Sequence, residues 1–498
     1  MSSNAYQVLE QRFARMGALN EAAGMLHWDM AAVMPEGGHG ARAEQLAILN
    51  VIAHEMLTAP ETADLLENAQ GAGLDSWQAA NLNEMRRLYV HATALSPAFV
   101  EAMTRARAAC EKVWRTARPA GDFKAVQGKL QAVLDLAREA AAAKAEKLGL
   151  SPYEALMDEY EPGARVAEIT PIFDAYAAFL PEFLGRVLEH QKAKGAPVLP
   201  QGPFPIATQK ALGEKLMGII GFDFNHGRLD TSAHPFCGGT PDDVRITTRY
   251  DESSFADALM GVIHETGHAL YERGLPADWR RQPVGQARGM ALHESQSLLI
   301  EMQAARSVDF CRFLSPLLQE TYPGNAAAFH PENLFRLYTQ VNPGFIRVNA
   351  DEVTYPAHVI LRYRLEQALI SGDLSLDDLP GAWNDGMKQL LGLTVANDRE
   401  GCLQDIHWFE GLFGYFPCYS LGAMNAAQLF AAAIAAEPGI PAAIGRGDFK
   451  PLLAWLRQNV HGLGSSLTTA EIVTRATGRP LDADLFRRHL TQRYLGTA

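Results

Sequence analysis

Apolar residues along the first 193 positions recur at intervals of three and four, as in Leu9, Phe13 and Met16 or in Leu130, Val133, Leu134 and Ala137. That spacing stacks them on one face of an α-helix and predicts long amphipathic helices from Tyr6 to about Ala193. Gly and Pro fall mostly between the periodic stretches, at Gly71 to Gly73 and at Pro97. Trp28-Asp29, leading into Met34-Pro35-Glu36-Gly37-Gly38, reads as the stop between two helices of a hairpin. From Gly195 to Tyr250 the pattern changes. Pro197, Pro200, Pro203 and Pro205 mark a loop, His234-Pro235-Phe236 and a Gly238-Gly239 turn follow, and Val244 to Tyr250 alternates apolar with polar residues and is rich in β-branched types. This last run predicts a strand in a small sheet, one edge of which could pair with an extended peptide. Helical periodicity resumes at Ser253 and continues to the C-terminus. Ser254 and Asp257 suggest a capping box for the first of these helices, and Gly274 suggests its stop.

Composition narrows the class. The 498 residues are 48% hydrophobic and 20% charged, enough to bury a large core in a globular protein. No internal repeat, low-complexity tract or polar linker divides the chain, so residues 1–498 read as one large helical domain with a small β-containing segment around 195–250. A net charge of -13 argues against a nucleic-acid partner, which would call for a basic face. The five cysteines are spread singly with no Cys-x-x-Cys pair, as expected for reduced, buried thiols. Met1-Ser2-Ser3-Asn4-Ala5-Tyr6 lacks a basic and then apolar leader, which predicts a cytoplasmic location. The longest apolar helical run, Ala426 to Ala436, falls short of the about 20 residues a bilayer needs, so no membrane span is expected.

The chemistry concentrates in His264-Glu265-Thr266-Gly267-His268. Imidazoles four residues apart share one helix face and can hold a tetrahedral zinc, with the glutamate between them beside a metal-activated water. At this composition the three residues arise at those offsets by chance on the order of 0.03 times per chain. Phe255, Leu259, Val262, Thr266 and Leu270 supply the apolar face of the same helix, adjacent to the histidine face. Two histidines leave a catalytic zinc one protein ligand short. Glu294, in Gly289-Met290-Ala291-Leu292-His293-Glu294-Ser295-Gln296-Ser297, is the best candidate, because Gly289 would let a second helix come close; Glu272 and Glu301 compete. His293 points about 100° away from Glu294 on an ideal helix and is expected to pack or to support the site. In such a site Glu265 acts as general base on the water and then delivers the proton to the leaving amine.

Six short motifs in fixed order accompany these residues: His234-Pro235-Phe236, Asp243 to Thr247, His264 to His268, His293 to Gln296, Ile346 to Asp351 and Gly401 to Trp408. Together with Trp28-Asp29, Met34-Pro35 and Gly414 to Pro417 they make the chain resemble the M32 metallocarboxypeptidases, the carboxypeptidase Taq family, over nearly its whole length. The resemblance implies a mainly α, gluzincin-type fold, neurolysin-like, with a long active-site cleft and a small β-sheet near the zinc-motif helix. It also implies broad-specificity release of C-terminal amino acids, a zinc or cobalt ion, peptide substrates with a free C-terminus and a homodimer.

Recognition of a free carboxylate calls for a guanidinium at a fixed distance from the metal. Arg347 and Arg245 lie in motifs and are the candidates, although Arg347 could instead pair with Asp351 at i+4. Arg249, outside the motif, reads as a surface residue. His407, Tyr419 and Tyr415 form a cluster that could donate to the developing oxyanion, or simply an aromatic core with Trp408, Phe409, Phe413 and Phe416. Asp405 is a candidate supporting carboxylate, and His234 a residue either on substrate or packed behind Pro235. Competing readings are an oligo-endopeptidase of the neurolysin type and a helical binding module with a purely structural zinc, for which Glu265 would be superfluous.

Overall fold

A computed structural model describes residues 2–69 and 73–496. Gly71 and Ala72, within the stretch read above as a break, lie outside the described residues. The chain is mainly helical, as the periodicity predicts. Ser2–Ala32 and His39–Thr58 form the expected hairpin, joined by a single 3₁₀ turn at Glu36–Gly38. Arg42 closes it, with Nη1 donating to Leu26 O at 2.8 Å and to Asp29 Oδ2 at 2.6 Å. Leu9, Phe13 and Met16 are buried in a local core, while Leu130, Val133, Leu134 and Ala137 belong to the larger core beneath the candidate site.

Three strands, β1 (Gly227–Thr231), β2 (Phe236–Thr240) and β3 (Asp243–Thr248), form the sheet in the order β1-β3-β2. β1 runs parallel and β2 antiparallel to β3. The strand read from the sequence is therefore the central one, and it stops at Thr248, so Arg249 and Tyr250 fall beyond it. The Gly238-Gly239 pair is no turn: both residues lie within β2, where Gly239 takes a φ of +90°. Short, glycine-containing strands lack the β-branched alternation that would reveal them. A helix at Ile206–Ile220 also escapes the reading of this region, because the prolines that mark the loop before it end at Pro205, its N-cap.

The motif helix, Phe255–Gly274, lies against the sheet. Val244 and Ile246 of β3 pack with Val262 and Ala269, and Phe255, Leu259 and Leu270 enter the neighbouring core. Each of these Val, Ile, Leu and Phe side chains contributes about 1.5–3 kcal/mol when fully buried. Ser254 is the N-cap, but no side-chain cap bond forms; its hydroxyl contacts Asp257 Oδ2 at 3.2 Å instead. The anticipated capping box is absent, although the helix does run to Gly274.

Met290–Leu298 follows as a nine-residue helix and passes into π-helical turns at Leu299–Ala305. It is wedged between two others. A Cβ on Gly267 of the motif helix would fall 2.6 Å from Gln296 O and Ser297 Cα; one on Gly422 would fall 2.9 Å from Glu294 Cβ. Gly422 belongs to Pro417–Ala436, a helix 20 residues long. That helix extends nine residues before the alanine-rich run and is long and apolar enough to span a bilayer, yet most of it is buried inside the protein. Its role is that of a central core helix. The expected helper glycine, Gly289, is not the point of close approach between the helices that carry His264 and Glu294: Gly267 is, and Gly289 makes room for the Glu161 carboxyl.

Ala at Gly267 must therefore push two backbones apart, costing about 1–3 kcal/mol of unfolding free energy as overpacking does. Gly261 on the same helix has nothing within 4 Å of an added Cβ, so Ala there gains about 0.5–1 kcal/mol from helix propensity. Urea unfolding of the two variants should move in opposite directions; equal shifts would contradict this packing.

Candidate active site

His264 and His268 project from the motif helix with ring centroids 5.0 Å apart, and Glu294 meets them from the Met290–Leu298 helix. Glu294 Oε2 lies 3.4 Å from His268 Nε2 and 3.9 Å from His264 Nε2. Ligands held about 2.0–2.2 Å from a tetrahedral ion sit about 3.3–3.5 Å from one another, so the three donors fit one divalent metal after a small contraction at His264. Two imidazoles and one carboxylate are also the donor set of a catalytic zinc site with an open position.

The competing glutamates take supporting places. Glu301 Oε2 contacts His264 Nδ1 at 2.9 Å, the ring nitrogen opposite the one facing Glu294, and is itself paired with Arg306. Such a carboxylate fixes the imidazole tautomer. In an α-helical register Glu301, two turns after Glu294, shares its face, and it meets the far side of the His264 ring. Glu272 Oε1 contacts His293 Nε2 at 2.8 Å, and His293 stacks on His268 with centroids 4.5 Å apart. His293 thus packs behind His268, as its helical angle suggests.

Burial and crowding set the charges. Burial alone disfavours a charged His264, yet Glu294, Glu301 and Glu265 around it push its pKa up to about 10. His268 is driven down to about 4 by burial and by neighbouring His293. Glu294 falls to about 2, because the imidazoles outweigh its burial. Burial, reinforced by Glu294, raises Glu265 to about 7 against the pull of His264. A cation in the triad would favour its ionised form.

Arg347 stands in a short 3₁₀ turn, Arg347–Asn349, and is 5% exposed. It does not pair with Asp351, which instead accepts from the backbone N–H groups of Asn342, Val353 and Thr354. Its Nη2 donates to Asp405 Oδ1 at 2.9 Å, its Nε to the same oxygen at 3.2 Å, and its Nη1 to the Tyr355 hydroxyl at 2.8 Å. Five N–H donors minus these three leaves two, one on each of Nη1 and Nη2, a fork suited to a carboxylate. Arg362 holds the other oxygen of Asp405, with Nε at 2.6 Å. Burial opposes the charge on Asp405, but the two guanidinium groups keep it well below the usual carboxylate range. Asp405 is the expected supporting carboxylate. A cavity of about 300 Å³ has His264, Glu294, Arg347 and Tyr355 in its wall.

The aromatic cluster also assembles. His407 Nε2 is 3.3 Å from the Tyr419 hydroxyl, Tyr415 and Tyr419 rings are 5.2 Å apart, and the Arg347 guanidinium lies 4.9 Å above the Tyr419 ring. Tyr419 precedes Gly422 by one turn on the same helix, which brings it beside Glu294. Burial pushes the His407 pKa down to about 4, leaving a neutral imidazole, and raises that of Tyr419 well above its ordinary value. Both remain hydrogen-bond donors at neutral pH.

Arg245 does not join them. Its guanidinium pairs with Asp243 at 2.7 Å and stacks 4.6 Å from the Trp28 ring, on the sheet face opposite the motif helix. Arg228, its cross-strand partner, lies 5.6 Å from the same ring, so the two arginines clamp the N-terminal hairpin to the sheet. His234 is exposed beside β2, and its carbonyl accepts from the Ser232 hydroxyl. Tyr355 was not legible: nothing in its local sequence distinguishes it from an ordinary helix-starting residue. Cys237 lies half-buried on β2, and the other four cysteines are buried and free.

Comparison with known proteins agrees with this arrangement. Residues 8–494 match the model of the family described as Carboxypeptidase Taq (M32) metallopeptidase. The chain is 36% identical to thermostable carboxypeptidase 1 of Thermus thermophilus, over 98% of both chains. It is 33% identical to the Pyrococcus furiosus protein of the same name, over 97% of both. Among solved structures, Trypanosoma cruzi metallocarboxypeptidase 1 superposes with a TM-score of 0.96 at 43% identity, covering 99% of each chain. An M32 carboxypeptidase from Deinococcus radiodurans does so with a TM-score of 0.93 at 34% identity, again over 99% of each. With the expected mainly α fold and its small sheet in place around a His-His-Glu cluster, the chain belongs to the M32 metallopeptidase family.

Proposed function

We propose that this protein is a zinc-dependent carboxypeptidase that removes residues one at a time from peptides with a free C-terminus. The observation that carries this reading is the single cavity shared by His264, Glu294 and Arg347, whose guanidinium keeps two N–H donors for a carboxylate. Two histidines and a glutamate suit zinc, and cobalt is a workable substitute in the same geometry. When bound, the metal supplies Lewis acidity, acidifying a water and polarising the scissile carbonyl.

The chain's own groups do the rest. Arg347 binds the terminal carboxylate and, braced by Asp405 and Tyr355, fixes how far the last peptide bond reaches toward Glu294. Glu265 takes a proton from the attacking water and returns it to the departing amine. Tyr419, with the neutral His407 behind it, donates to the oxygen that gains charge, and Tyr415 packs against Tyr419 to hold its ring. The role of Arg245 in this scheme is to seat the N-terminal hairpin, not to bind the carboxylate.

Peptides ending in a free acid should be shortened stepwise, and their C-terminal amides should be cut at least about 10–100-fold more slowly, the worth of a charge-assisted bond at a buried site. Arg347→Ala should erase that preference by slowing only the free acids; Asp405 keeps Arg362 as its partner, so the fold should persist. Equal cleavage of acid and amide by the parent enzyme, read by mass spectrometry of the products, would favour an endopeptidase.

Glu265→Gln preserves shape and the metal ligands but removes the base. Activity should fall by at least about 100-fold, with metal content by plasma mass spectrometry unchanged. Hydrolysis at the parent rate would rule out the assigned proton transfer.

A further inference from the structure

Glu294 is the only triad member on the Met290–Leu298 helix, and that helix is just nine residues long. Its N-cap is Gly289, which has no side chain with which to cap. Two of the orphan N–H groups of its first turn are satisfied from a distant part of the chain. Tyr160 O accepts from Met290 N at 2.7 Å, and Glu161 Oε2 accepts from Ala291 N at 2.7 Å. Glu161 is 5% exposed, and its other oxygen accepts a hydrogen bond from the Thr469 hydroxyl. A Cβ at position 289 would fall 2.7 Å from Glu161 Cδ, so glycine there is a requirement of the carboxyl's position.

We infer that Glu161, held by Thr469, is a positioning residue for the metal site: it caps the Glu294 helix from outside and fixes where that helix sits along its axis. The inference rests on the reading of Glu294 as a metal ligand. Between Gly267 and Gly422 the helix has no room to move sideways, so the remaining freedom is sliding and fraying at its start. Glu294 is the fifth residue of the helix, near enough to its N-terminus for fraying to carry its carboxylate off the two imidazoles. The cap comes from the segment after Pro152–Met157, and Thr469 begins the Thr469–Thr477 helix, so three remote pieces of chain meet behind one ligand.

The test is a competition titration of zinc against a chromophoric chelator, with kcat and KM alongside. Glu161→Ala should bind zinc about tenfold more weakly, as losses behind metal ligands do, and should lower kcat while leaving KM for free-acid peptides near the parent value. Glu161→Gln keeps an oxygen for Ala291 N–H and should restore affinity to within about twofold of the parent. Parent-like zinc affinity in Glu161→Ala would overturn the inference even if the melting temperature fell, since the cap would then be structural only. Thr469→Ala, a milder change that leaves the carboxyl in place but unheld, covers the case in which Glu161→Ala does not fold. It should weaken zinc by about threefold, and an unchanged affinity would equally overturn the inference. Glu294→Ala in the same titration separates the two levels: parent-like affinity there refutes the ligand assignment itself.

Discussion

The site depends on one steric constraint, the absence of side chains at Gly267 and Gly422. Because neither carries a Cβ, the short helix bearing Glu294 can lie against the backbone of the motif helix on one side and against the Pro417–Ala436 helix on the other. Only this double close approach brings a carboxylate to within 3.4 Å of His268 Nε2. The same approach sets Tyr419 beside Glu294, since it lies one turn before Gly422. Packing density in a protein interior leaves little slack for such contacts, so ligand geometry and core packing are coupled here.

Electrostatics then follows from burial. Carboxylates of Glu265, Glu294 and Glu301 gather around two imidazoles in a poorly solvated pocket, a costly arrangement without a cation. Opposite them, Asp405 binds both Arg347 and Arg362, so that Arg347 is neutralised on its inner edge and free on its outer one. The wall of the cavity is therefore negative at the metal end and carries directed donors at the other. In the proposed function, a peptide C-terminus supplies a carboxylate for the second and a carbonyl for the first.

Much of this was legible in the sequence. Imidazoles at i and i+4 with a glutamate between them carry their geometry with them, and a helical period is local information that survives into the fold. The long N-terminal helices, the hairpin at Met34-Pro35 and the central strand were readable for the same reason. What depended on tertiary contact was not. Gly238 and Gly239 look like a turn because nothing local shows that Val244 and Arg245 pair with them across β2 and β3. Gly289 and Gly267 are indistinguishable as helix-approach glycines until the partners are known. Arg245 and Arg347 both sit in motifs; only Trp28 above one and the cavity beside the other tell them apart. Tyr355 and Glu161 act through partners eight and 130 residues away, and sequence spacing cannot report such meetings.

The central claim is that one metal is held jointly by His264, His268 and Glu294. It is most directly tested by an anomalous difference map recorded at the zinc absorption edge from crystals of the zinc-loaded protein. A single peak about 2.0–2.2 Å from both Nε2 atoms and the Glu294 carboxylate is the predicted result. A peak bonded to Glu272 or Glu301 in place of Glu294, or no peak between the two histidines, would contradict it.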